Sequence, residues 1–123
     1  MKTTVQLLVA AVGLGCFSAA PAADADSMFE CAAFYDAAAA AVRERPELSK
    51  TRFLVGNPGR ASLLLFSSGA QMSGVQAGWN KYSVMQRTML SLLAQDTTQV
   101  ARVVSKYDAQ CMAIVSEVAK TPT

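Results

Sequence analysis

Cys31 and Cys111 lie toward the two ends of the chain, and a bond between them would close most of it into one loop. Whether such a bond forms depends on the compartment in which the chain folds. The N-terminus speaks to that. Met1-Lys2 gives a short positive start, and Val5 through Ala20 is apolar or small apart from Gln6 and Ser18. This is the charged and then apolar pattern of a secretory leader. The run of about 16 residues falls short of the roughly 20 that a spanning helix needs, and no Lys or Arg follows it as a cytoplasmic stop. Ala20-Pro21-Ala22 fits the small-x-small cleavage rule, with Ala23-Asp24-Ala25 a second site. We therefore expect residues 1–22 to be a cleaved signal peptide and residues 23–123 to form one helical domain. The alternative is a lipoprotein anchored through Cys16, although Leu14 stands one place too close to that cysteine for the usual Leu-small-small-Cys order.

Removal of the leader takes away Lys2 and Cys16, leaving Cys31 and Cys111 as the cysteines of an exported chain. They are expected to pair. Neither belongs to a Cys-x-x-Cys motif, so the expected role is structural rather than redox-catalytic. A closed loop of about 80 residues corresponds to on the order of 4 kcal/mol by chain-entropy arguments. An Ala-rich leader with one n-region lysine, and no Asn-x-Ser/Thr acceptor anywhere, suggests a Gram-negative periplasm or secretion beyond it. No membrane association is expected after cleavage.

The apolar periodicity is helical throughout. Ser27-Met28-Phe29-Glu30 has the form of a capping box and predicts a helix start, with Cys31, Phe34, Tyr35, Ala38, Ala41 and Val42 on one buried stripe. Pro46 ends this helix by biasing Arg45 away from the helical region. Residues 46–60 lack a sustained period and read as a connector held to the body by Leu48, Phe53, Leu54 and Val55, with a type II turn at Gly56-Asn57-Pro58-Gly59.

From Ala61 to Leu93 the residues Ala61, Leu64, Leu65, Ser68, Met72, Val75, Trp79, Tyr82, Met89 and Leu93 follow a 3-4 repeat. One helix of that length would extend roughly 50 Å, too long for so small a domain. Gly69, Gly74 and Gly78 cluster where a break is needed, so the segment is divided near Ser73-Gly74. Asp96-Thr97-Thr98-Gln99 is a second capping box, followed by Val100, Val103, Val104, Tyr107, Cys111, Ile114, Val115 and Val118.

The fold class is therefore all-α: a small antiparallel four-helix bundle with one disulfide between its first and last helices. The rival is three helices, one of them long and kinked. Cys31 lies one turn into the first helix and Cys111 well before the end of the last, heights that agree when these two helices run antiparallel, as in an up-down-up-down bundle.

The chain contains no histidine. That removes His-based acid-base catalysis, His-ligated zinc and His-ligated haem. A formal charge of +2, with no run of either sign, offers no nucleic-acid-binding face. We expect no enzymatic activity and no cofactor. Met72, Met85, Met89 and Met112 are candidates for a Cu(I) thioether site, with Met85 and Met89 at i, i+4 spacing, but methionine in a bundle ordinarily fills core gaps. Trp79 stands among the polar residues of the later helices, so Trp79, Lys81, Arg87 and Arg102 are the candidate partner-binding surface. The expected function is protein binding by a periplasmic or secreted protein of the immunity, inhibitor, adaptor or chaperone type. The alternative is a carrier of a small apolar ligand or Cu(I) in the bundle interior.

Overall fold

The computed structural model describes residues 24–120. The expected leader, the Ala20-Pro21-Ala22 site and Cys16 lie outside the described residues, whereas Asp24 and Ala25 of the second expected cleavage site open the first helix. Four α-helices account for most of what is described: α1 (Ala25–Glu44), α2 (Pro58–Ser73), α3 (Val75–Leu93) and α4 (Thr97–Lys120), with a short 3-10 turn at Pro46–Leu48. The all-α bundle expected from the sequence is the architecture found, in its four-helix form.

Helix α1 begins before the predicted capping box. Asp24, extended at φ −99° and ψ 167°, caps it, and its Oδ1 accepts from the Ser27 amide at 2.7 Å. Ser27 thus lies inside the first turn and does not cap it. An aspartate at this position both fills an orphan amide and favours the positive end of the helix dipole. The helix stops where Pro46 predicts, with Arg45 extended at φ −121° and ψ 105°.

The expected type II turn is displaced as well. Pro58 is the first residue of α2, and Asn57 caps it by accepting from the Arg60 amide at 3.1 Å. Proline's fixed φ and missing N–H suit a first helical position, so asparagine followed by proline reads better as a helix start than as a turn centre. The chain turns three residues earlier, over Phe53 to Gly56, where Gly56 adopts φ 84° and its amide donates to Phe53 O at 2.9 Å. The predicted division of the next segment is met at Gly74, with φ 92° and ψ 154°, a conformation open to glycine and strained for other residues.

Helix α1 is buried around most of its circumference, including Ala25, Phe29, Ala32, Ala33 and Ala37 as well as the predicted Cys31, Phe34, Tyr35, Ala38 and Ala41. It is the central helix. Alanine allows its neighbours to approach closely on several sides, which a single apolar stripe would not require. The α2–α3 hairpin packs most closely against it, and α4 adds a third wall. The disulfide joins Cys31 to Cys111 with Cα atoms 5.7 Å apart. Further along, Tyr35 meets Asp108 and Arg45 meets Gln95, so α1 and α4 run antiparallel.

Arg45 completes the far end of the bundle. Its guanidinium donates to the carbonyls of Leu93 at 3.1 Å and Gln95 at 2.8 Å, placing a cation at the C-terminal end of α3. Helix α4 then starts at its predicted cap, where Asp96 Oδ1 accepts from the Gln99 amide at 3.0 Å.

Candidate functional site

The 61–93 stripe does not remain on one face. Ala61, Leu65, Met89 and Leu93 are buried, whereas Met72, Val75 and Trp79 are more than half exposed. The break at Gly74 resets the helical phase, so residues before and after it no longer share one side. Trp79 is 51% exposed. It nevertheless has a fixed seat: its ring lies 5.1 Å from that of Phe66 on α2 and 5.4 Å from Tyr82 one turn along α3. Phe66 in turn rests on Phe29 of α1, with centroids 5.2 Å apart. The exposed tryptophan is the outer member of an aromatic stack reaching into the core.

Beneath this stack the helices touch through glycine. A Cβ on Gly69 of α2 would come within 2.7 Å of Phe29 Cε1, and one on Gly78 of α3 within 2.6 Å of the same atom. Both glycines sit under the rim of one ring. The hairpin therefore grips α1 near its own closed end, and the aromatics beside that grip are held against it.

On α3, Val75, Trp79 and Leu90 fall within about 60° of one another at 3.6 residues per turn. All three are more than half exposed. Arg87, also exposed, flanks this stripe. The whole stretch from Ser49 to Gln95 contains no Asp or Glu. The outer face of the hairpin is thus an apolar stripe anchored by a tryptophan, with Arg87 as the formal charge at its edge.

The other predicted surface residues are placed differently. Lys81 turns toward α1, where its Nζ lies 3.9 Å from Asp26 Oδ2 and 3.4 Å from Glu30 Oε2. Two positions along a helix is about 200° of rotation, which carries Lys81 away from Trp79. Arg102 is exposed on α4 and shares no helix face with Trp79 or Arg87. Of the four candidates, Trp79 and Arg87 are brought to one face of α3.

Met89 is fully buried and belongs to the core, while Met85 is half-buried against it. Their i, i+4 spacing holds, yet Met89 has no surface on which to meet an approaching ion. Met85 lines a small cavity of about 80 Å³ beside the disulfide, together with Glu30, Tyr107 and Ile114.

Two tyrosine-carboxylate pairs were not legible in the sequence. Asp108 is 3% exposed, and its Oδ1 accepts from the Tyr35 hydroxyl at 3.0 Å while Oδ2 accepts from the Leu54 amide at 2.7 Å. The connector is therefore held partly through its backbone, and Leu54, expected to pin it by its side chain, is exposed. On α3, the Tyr82 hydroxyl donates to Asp36 Oδ2 on α1. Burial, reinforced by the charge and hydrogen bond of Asp108, raises the Tyr35 phenol far above its usual value. Burial and the bond to Asp36 do the same for Tyr82. Both phenols keep their protons and serve as donors that tie helices together.

Glu47 is exposed, and its carboxyl is held below the ordinary range by its own backbone amide, then by the Thr97 hydroxyl, with a smaller contribution from Arg45. The described residues contain no group of three or more Cys, Asp or Glu placed to hold a metal ion. None of the described helices is long and apolar enough to cross a membrane. No protein-family profile, curated protein or solved structure matches the chain.

Proposed function

We propose that this chain is an exported, non-catalytic binding protein that engages another protein through the outer face of the α2–α3 hairpin, with Trp79 as the anchor. One observation carries the reading. Of seven exposed large apolar side chains among the described residues, Val75, Trp79 and Leu90 share one face of α3 and Met72 precedes them at the closed end of the hairpin, whereas Leu54, Leu63 and Val84 lie elsewhere. Scattered apolar residues are ordinary on a protein surface, whereas an apolar stripe on one helix face beside a positioned tryptophan is characteristic of an interface.

The remaining chemistry supports binding over turnover. The chain has no histidine. Its most buried carboxylate, Asp108, is engaged by a phenol and a backbone amide. The disulfide fits an oxidising compartment, and the N-terminal pattern fits export to a Gram-negative periplasm or the medium. The partner is accordingly another periplasmic or secreted protein.

The test is quantitative capture from periplasmic extract by wild-type protein and by Trp79→Ser. The wild type is expected to retain one reproducible partner, and the variant to retain at least about tenfold less of it, as is usual for a tryptophan hot spot. Equal capture by both proteins, or no reproducible partner at moderate salt, overturns the proposal.

A further inference from the structure

A groove of about 620 Å³ lies on the side of α2 that meets the connector and α4. Val55 of the connector, Leu63 and Leu64 of α2, and Val115 of α4 form its apolar walls, and Arg60 is the one charged residue lining it. It is open to solvent, and its lining is mostly apolar with few polar groups. It is a surface groove between three elements, unlike the interior cavity a carrier was expected to have.

The charge at the groove is available. Arg60 stands outside the ion pairs of Arg45 with Glu47 and of Lys81 with Asp26 and Glu30. The first turn of α2 has no acidic residue, and the surrounding sequence from Ser49 to Gln95 has none either. Glu117, near Val115 in sequence, is about 200° away from it around α4. Asn57 also borders the groove, but its Oδ1 already accepts from the Arg60 amide. An anion beside Arg60 therefore meets one cation with no competing carboxylate on α2.

We propose that this groove binds a single-chain amphiphilic carboxylate, its alkyl chain against Val55, Leu64 and Val115 and its head group on Arg60. The apolar walls account for affinity and the guanidinium for selection of an anion over a neutral or cationic amphiphile of equal length. The site is independent of the Trp79 face, and either assignment can fail without the other.

The experiment is calorimetric titration of the mature, disulfide-bonded protein with monomeric dodecanoate, with dodecanol and dodecylamine as matched probes, and with phosphatidylglycerol vesicles in a separate arm. Dodecanoate is expected to bind saturably at one per chain and more tightly than either matched probe. Arg60→Gln is expected to weaken it about fivefold, the modest effect of an exposed charge. Ser67→Trp places an indole at an exposed position on the groove wall and is expected to abolish binding while circular dichroism stays helical. Arg87→Gln, on α3, is expected to leave dodecanoate binding unchanged. The proposal is overturned by no saturable dodecanoate binding, by equal binding of dodecylamine, by unaltered binding in folded Ser67→Trp, or by association with vesicles alone.

Discussion

The ring of Phe29 occupies the place where a side chain on Gly78 would begin: a Cβ there would come 2.6 Å from Cε1 and 2.7 Å from Cζ. The same ring edge meets Gly69 on the other arm of the hairpin, and Phe66 packs against the ring with centroids 5.2 Å apart. Phe29 is 1% exposed and has little room to swing aside. In an unconstrained helix, replacing glycine by alanine gains up to about 1 kcal/mol. Here Gly78→Ala is expected to destabilise the protein by about 1–3 kcal/mol through overpacking, measured as a lower urea midpoint at unchanged slope. Adding Phe29→Leu is expected to recover part of the loss. A stabilised Gly78→Ala variant would show that the close approach does not govern the packing.

Asp108 joins three elements, taking the Tyr35 hydroxyl of α1 and the Leu54 amide of the connector onto a buried carboxylate of α4. Asp108→Ala leaves both donors without their acceptor, and a loss of about 2–4 kcal/mol is expected, compared with about 1–2 kcal/mol for Tyr35→Phe. In a double-mutant cycle the two changes are expected to be non-additive. Hydrogen exchange adds a local readout, since the Leu54 amide should lose protection in Asp108→Ala and keep most of it in Tyr35→Phe. Equal protection in both variants would contradict the arrangement.

The elements of this fold were legible because each had a local cause. Pro46 stops α1, Gly74 divides the long apolar repeat, and Asp96 starts α4, all within a few residues of sequence. The Cys31–Cys111 pairing is legible by elimination on the expectation that residues 1–22, with Cys16, are removed. What escaped depends on distance in sequence. Nothing near Asp108 marks Tyr35 as its partner, 73 residues away. The burial of α1 on several sides follows from neighbours that its own alanine run does not specify. Sequence position groups Lys81 with Trp79 among the polar residues of the later helices, and only the packing shows Lys81 paired with Asp26 and Glu30 on α1.

Alkali should unfold the protein through its two engaged phenols. Tyr35 and Tyr82 both hold their protons beyond the ordinary phenol value. Their contribution to stability is complete below the unfolded value of about 10 and is lost as pH rises toward the folded values. The melting temperature is thus expected to decline above about pH 10, with loss of helical signal accompanying the later part of the phenolate absorbance. Ionisation of all three tyrosines with the helices intact would contradict the assigned hydrogen bonds.

Gln86 presents a smaller opportunity. Its Oε1 is buried without a hydrogen-bond partner among the described residues. Gln86→Leu removes that unsatisfied acceptor at similar side-chain volume, and a gain of about 1 kcal/mol is expected by chemical denaturation. A loss of comparable size would mean that the amide is satisfied in solution.

Site-resolved photocrosslinking in the exporting cell tests the docking face most directly. A photoreactive residue is introduced singly at Trp79, Leu90 and Met72 on the hairpin, and at Arg43, Ser105 and Ala109 on α1 and α4, all exposed positions. One partner adduct is expected from the hairpin positions, strongest at 79 and weak or missing at the other three. Adducts of equal strength at both sets, or adducts confined to α1 and α4, would contradict the account.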